Sequence, residues 1–352
     1  GRRAISLRAV AVAATLVLLL RPEALMGPGF QMSFAATTAL VAVFGWMRRF
    51  DLAWMPGWLK PVFAVFVSSA VAGIATAPIA AAHFNAIAHF GLIANLLSVP
   101  LMGVLVIPAA VVALVLVPFG AEALGLWAMG LGLRWILGVA HWVAGLDGAR
   151  GYVMGPGPWV LPLLSLGFLA LVLWKGRLRW GGALAMGMAF FLWQGGSRPS
   201  VLISDTGSLV GVMTPTGRAL SKDKAAGFIA RNWLENDGDG AGQVRAAGRW
   251  SAGDVIHLSG KRRVAAFTSC VPGQIVVASV PATALGQPPC DVFDPARLKH
   301  TGAIALFAAK DGWQMTTARE RAGDRLWTHW PAASDDADTR VQYVRINPTR
   351  RP

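Results

Sequence analysis

The chain has 352 residues, 55% of them hydrophobic and only 14% charged, with a formal net charge of +14. A soluble domain carries about 25% charged residues, so this composition excludes a wholly soluble protein. The apolar excess lies in Gly1–Gly196, whereas Ser197–Pro352 carries charges at ordinary density, which divides the chain into a membrane half and a soluble half of roughly 150 residues, large enough for one core.

Twelve Lys and Arg against four Asp and Glu leave the first half at +8; twenty against fourteen leave the second at +6. The first excess is of the kind that orients a membrane protein. The second permits contact with nucleic acid or anionic lipid. The chain starts with Gly rather than Met, which reads as a fragment or a displaced start.

About 20 apolar residues span the hydrocarbon of a bilayer. Seven segments fit: Ile5–Leu20, Phe30–Met47, Val62–Ala82, Ile87–Phe119, Ala121–Val143, Trp159–Trp174 and Gly181–Trp193. Arg8 would snorkel from the first. The fifth carries Arg134 and His141, seven apart on one helix face. The fourth is too long for one straight crossing, and Pro100 and Pro108 remove helix hydrogen bonds and are expected to break it. Trp46, Trp159 and Trp174 are among the Trp near span ends, as an aromatic belt requires.

With the N-terminus inside, the short loops put Arg2, Arg3, Arg8, Arg48, Arg49, Lys60, Lys175, Arg177 and Arg179 in the cytoplasm. Only Arg21 and Arg150 fall outside. That asymmetry sends the soluble half to the outer, periplasmic face of a bacterial inner membrane.

Two membrane patches carry polar groups. Gly27-Pro-Gly-Phe-Gln-Met-Ser-Phe34 opens the second span, placing Gln31 and Ser33 on its first turns. A helix N-terminus there offers bare amides to a phosphate; equally, its polar residues bond neighbouring helices. The second patch runs from His83-Phe-Asn85 through Pro108 and holds His89, Asn95 and Ser98. His89 and Asn95 are six apart and nearly opposite on a helix, whereas Asn95 and Ser98 share a face. These groups either line a hydrophilic path or fix helix packing. The acidic residues Glu23, Asp51, Glu122 and Asp147 all fall at span ends, which disfavours a cation channel and suits an anion.

The soluble half reads as mixed α/β. Val201–Ser204 and Leu209–Met213 look like strands, and Thr214-Pro-Thr-Gly217 is a turn. Ala225–Leu234 is a short amphipathic helix, and Glu235-Asn-Asp-Gly-Asp-Gly240 is read as a solvated loop without the spacing of a calcium site. Ile275–Val280 and Ala303–Ala308 are further buried strands. His257, His300 and His329 are isolated, and neither HxHxDH nor HExxH occurs, so no metal or other cofactor is expected. Lys261-Arg-Arg263 is a small basic cluster, either a solvated edge or a nucleic-acid contact. Cys270 and Cys290 are the only cysteines. An outer-face location suits a disulfide, with a reduced core pair as the alternative.

The run from Ile5-Ser-Leu-Arg through Leu-Arg-Pro-Glu-Ala-Leu-Met-Gly-Pro-Gly-Phe-Gln-Met-Ser-Phe-Ala-Ala36 resembles the ComEC family of competence membrane proteins. So does His89-Phe-Gly with Ala-Asn-Leu-Leu-Ser-Val-Pro-Leu101 and the later Pro108. The resemblance covers about residues 1–195, the second part of the family's membrane domain. It implies an inner-membrane channel passing single-stranded DNA inward during natural transformation, with the bilayer, that DNA and other competence proteins as partners. Many members end in a metallo-β-lactamase-like domain. Here Ser200–Gly217 looks like a worn version of its opening, with Asp205 and Gly207 matching and the metal-binding histidines lacking.

The expected fold is therefore a polytopic α-helical membrane domain, 1–196, of about seven spans, one of them broken, followed by a small extracytoplasmic α/β domain, 197–352. The expected function is a DNA channel that is no enzyme, with a path lined by Gln31, Ser33, Asn85, His89, Asn95 and Ser98. Lys261, Arg262 and Arg263 are candidate DNA contacts. A small-anion transporter and a membrane-anchored nuclease stand as alternatives.

Overall fold

A computed structural model describes residues 6–49, 55–251, 253–283, 289–309 and 312–323. Arg2, Arg3, Ile5, Asp51 and His329 lie outside the described residues. The chain divides into two units at Gly196/Ser197.

In the first unit Ser6 caps α1 (Leu7–Leu20), its side chain accepting the Ala9 amide. A single 3-10 turn, Pro22–Met26, leads to Gly27, which precedes α2 (Pro28–Met47). Pro28 suits that start because the first amides of a helix have no internal partner. There follow α3 (Leu59–Phe84), the short strand β1 (Ala86–Ala88) and α4 (Gly91–Leu101). Next come α5 (Ile107–Leu116), α6 (Glu122–Ala144) and the strand β2 (Arg150–Tyr152). The hairpin α7 (Val160–Leu173) and α8 (Arg179–Gln194) closes the unit.

Among the described residues, four helical runs are long and apolar enough to cross a membrane: Pro28–Met47, Leu59–Phe84, Gly91–Phe119 and Glu122–Ala144. Leu7–Leu20 and Val160–Leu173 are apolar but shorter, and α8 has 16 residues. Large apolar side chains point outward along these helices; Val104 and Phe119 are each 79% exposed. Such a surface is untenable in water and ordinary in lipid, so the unit is a membrane unit.

Two sequence expectations change here. The fourth span begins at Gly91 rather than Ile87. Asn85 turns into the left-handed region (φ 52°) and ends α3, and Ala86–Ala88 then pairs antiparallel with Arg150–Tyr152. Pro100 and Pro108 also do not cut the run into pieces. Pro100 sits inside α4, and the disturbance is one π turn, Met102–Val106, whose end brings the Ile107 amide to the Met102 carbonyl. Pro108 has no N–H and crowds the carbonyl four residues back, and a widened turn relieves both effects.

Close packing uses glycine. A side chain at Gly125 on α6 would lie 2.5 Å from the Ala113 backbone of α5, and one at Gly167 on α7 would lie 2.8 Å from the Gly182 carbonyl of α8. The small core of Ala81, Val160, Leu164, Ala189 and Trp193 joins the end of α3 to the last hairpin.

Among the described residues, the second unit has two sheets. One is antiparallel with strand order β10-β9-β3-β4-β5: β3 (Val201–Ile203), β4 (Val210–Thr214), β5 (Gly217–Leu220), β9 (Ile304–Ala309) and β10 (Gly312–Thr317). The other is parallel: β6 (Val255–Leu258), β7 (Ile275–Ala278) and β8 (Asp291–Phe293). Val201, Ile203, Val210, Ile304 and Leu306 of the first sheet meet Val255, Ile275, Val277 and Phe293 of the second in one core. The helices α9 (Gly227–Asn236) and α10 (Gln243–Ala247) bury Ala230, Leu234 and Ala246 against Leu209 and Leu220. Val276 and Ala278, on the other face of β7, pack with Val264 of α11 (Lys261–Ala265) and Cys270. β7 is thus buried on both faces, which is why it reads as a continuous apolar run. The remaining helices α12 (Pro295–Thr301) and α13 (Ala318–Ala322) follow β8 and β10.

Candidate functional site

The polar residues singled out in the membrane unit gather largely at one end of it. His83 Nε2, in the last turn of α3, donates to Gln31 Oε1 on the first turn of α2 at 2.9 Å, and Gln31 Nε2 donates to the Leu25 carbonyl at 2.8 Å. Asn85 donates its side-chain amide to the Val153 carbonyl at 3.3 Å, and its own carbonyl accepts the Val153 amide. His89 Nδ1 donates to the Gly148 carbonyl at 2.7 Å while its backbone amide reaches the Ala149 carbonyl. The His89 ring lies so close over Gly151 that a methyl there would meet it at 2.5 Å. Trp193 Nε1 at the end of α8 donates to the Met154 carbonyl at 2.7 Å.

These bonds form a clasp. They tie the start of α2, the end of α3, the start of α4, the end of α6, the start of α7 and the end of α8 at one end of the unit. Gln31, Asn85 and His89 therefore spend their side chains on fastening connections. Asn95 is exposed and Ser98 half-buried on α4, and Ser33 is exposed on α2. α6 is held to α4 by Trp135 Nε1, which donates to the Leu97 carbonyl at 3.2 Å.

The two ends differ in charge. The clasp end carries Arg21 and Arg150 with Glu23 and Asp147. The opposite end, where α2 stops, α3 and α6 start and the α7–α8 hairpin turns, carries Arg48, Arg49, Lys60, Lys175, Arg177 and Arg179 against Glu122.

Sequence reasoning missed the Gln31–His83 bond, because the partners are 52 residues apart. Asn85 did carry a usable signal, since Asn is favoured after glycine in the left-handed position that ends a helix.

In the second unit the loop read as solvated is instead held by ion pairs. Asp237 caps α9 and is 6% exposed; it pairs with Arg218 on β5, which is fully buried. Arg218 Nη2 donates to Asp237 Oδ1 at 3.0 Å and to the Pro199 carbonyl at 3.1 Å. Asp239 pairs with Arg249. Burial alone would raise the Asp239 pKa, but the Arg249 hydrogen bond, the Ala241 amide and the nearby Arg charges bring it below the ordinary value.

Lys261, Arg262 and Arg263 are exposed on α11. Arg263 also lines an open pocket of about 380 Å³ with Ser221, Lys222, Asp223, Trp250 and Ser259. Beside it, His257 Nε2 donates to the Gly207 carbonyl at 3.0 Å. Burial pushes the His257 pKa down to about 4, assisted by Lys222 and Arg263 against the opposing pull of that carbonyl. Cys270 and Cys290 are joined in a disulfide, with Cα atoms 5.9 Å apart.

No curated protein and no solved structure matches the chain. Residues 1–178 match the Competence protein family. That match spans half of the sequence and nearly all of the unit that carries the clasp; the chain belongs to the competence protein family.

Proposed function

We propose that the membrane unit forms part of the path by which single-stranded DNA crosses the inner membrane into the cytoplasm. Membership of the competence family gives the chain a role in competence and DNA uptake. The observation that carries the finer reading is the absence of acids from the interior of the described membrane runs: Glu23, Glu122 and Asp147 stand at their ends. A polyanion meets no carboxylate between those ends, and any carboxylate there would repel it. Asn95, exposed on α4 above the π turn, is the side chain best placed to face the strand, with Ser98 one turn on. The shorter helices α1, α7 and α8 complete seven crossings, with the clasp at the outer face. The charge difference between the two ends supports this orientation.

The second unit is, on this reading, an outer-face module descended from a metallo-β-lactamase-like domain and inactive as a metallonuclease. Two facing sheets with helices outside, and the Ser204–Ser208 turn with Gly207 at φ 65°, support that descent. Incubating the purified full chain with DNA and manganese is expected to leave the DNA intact; steady degradation would make the module a nuclease.

The central test is uptake of labelled DNA by cells carrying Asn95→Leu. We expect at least a tenfold loss at unchanged protein level, since a polar group facing the strand is replaced by an apolar one. Unchanged uptake would remove Asn95 from the path.

A further inference from the structure

The open pocket of the second unit is lined by two cations, two hydroxyls and an indole. Lys222 follows β5 and is half-buried, whereas Arg263 lies on α11 and is exposed. Neither makes an ion pair among the described residues. They converge: both line the pocket, and both lie near the ring of His257 on β6, whose Nε2 donates to the Gly207 carbonyl. Both charges are therefore available to an anion that enters the pocket.

The hydroxyls are suitably poised. Ser221 Oγ accepts the Val210 amide at 3.0 Å, which leaves its own proton to donate into the pocket. Ser259 precedes Gly260, whose amide is held at 2.9 Å by Ser279 Oγ, fixing the turn that presents it. The Lys222 segment is fixed as well, because Gln243 Nε2 donates to the carbonyls of Lys222 (3.2 Å) and Ala225 (2.8 Å). Trp250 is half-buried against the core and gives the wall a rigid aromatic element. One acid, Asp223, lies exposed among the lining residues, so the cations outnumber it.

Two cations, two hydroxyl donors and an indole are the elements that hold a phosphodiester and the base next to it. We propose that this pocket binds a backbone phosphate of single-stranded nucleic acid through Lys222, Arg263, Ser221 and Ser259, with Trp250 as the stacking surface for an adjacent base. The inference rests on the DNA-uptake reading for the choice of ligand, and it assigns the contact to this pocket rather than to the Lys261–Arg263 run as a whole.

The test uses the full chain in detergent and a fluorescein-labelled ten-nucleotide oligothymidylate, read by anisotropy across a salt series. Lys222→Gln/Arg263→Gln is expected to weaken binding by roughly tenfold or more and to lower the salt slope by about 1.4, the single-strand value for two lost phosphate contacts. Arg321→Gln, on α13 after the opposite edge strand, is expected to change it less than twofold. Trp250→Leu is expected to weaken binding of the oligonucleotide but not of an abasic strand of equal length. Arg263→Gln alone, an exposed change that leaves folding intact, is expected to give a measurable part of the loss. Binding unchanged in the double variant, or an equal loss in Arg321→Gln, would overturn the proposal. So would full displacement of the strand by millimolar inorganic phosphate, which would make this a free-phosphate site. Normal oligonucleotide binding by Asn95→Leu in the face of lost uptake, or lost binding in the double variant with uptake retained, separates the pocket from the conduit.

Discussion

His257 shows how burial sets a charge state in the second unit. Its folded pKa is about 4, below the ordinary 6.5, because the ring is buried beside two cations. Between those values the unfolded chain binds a proton that the folded chain refuses, so stability falls as pH drops from 6.5 towards 4. The full effect is about 3 kcal/mol. Thermal unfolding followed by Trp fluorescence should show this loss, and His257→Gln should flatten it. The buried Arg218–Asp237 pair makes a second prediction. Asp237→Ala leaves a fully buried guanidinium without its counter-ion, and a broken buried pair costs about 3–5 kcal/mol. Chemical denaturation should detect that, whereas Asp223→Ala, an exposed change, should shift the midpoint little.

At the scale of elements, close helix packing in the membrane unit depends on missing side chains. Gly182→Leu on α8 would drive a side chain into the backbone of α7, and about 3 kcal/mol or more of overpacking is expected. Reduced accumulation of intact protein, with Gly187→Leu as a tolerated control facing open space, checks it. The long helices and the strands β3, β4, β7 and β9 were legible in the sequence because each satisfies a local rule: a sustained apolar run, or a short β-branched run bounded by turns. β1 and β2 were not. Each is three residues long, and its reason for being extended lies more than 60 residues away in the other. The aspartates of the acidic loop failed for the same reason: a Gly-rich acidic stretch looks solvated until Arg218 and Arg249 arrive from β5 and from beyond α10. The sheet order β10-β9-β3 was equally illegible, since it pairs β3 with a strand about a hundred residues further along the chain.

Across the whole molecule, the bonds at the clasp end constrain topology. Because β1 and β2 pair, the helical runs between them must make an even number of crossings, and Gly91–Phe119 and Glu122–Ala144 supply two. Reporters placed after Tyr152 and after Asn85 should therefore give the same sidedness, and one in the 174–178 turn the opposite; discordance between the first two would break the topology. The disulfide adds an orientation test at this scale. Cys270→Ser is expected to lower stability by about 3 kcal/mol, because a loop of some twenty residues is no longer closed in the unfolded chain. That stabilisation exists only in an oxidising compartment, so loss of the bond in protein from oxidising cells would contradict an outer-face location. The clasp also bears on how the protein is made. A ribosome delivers α3 and β1 well before residues 148–153, so Asn85 and His89 have no partners while α4, α5 and α6 are still being inserted. The α4–α6 segment can therefore reach its final arrangement only once β2 has been made, because the polar groups of Asn85 and His89 are satisfied there.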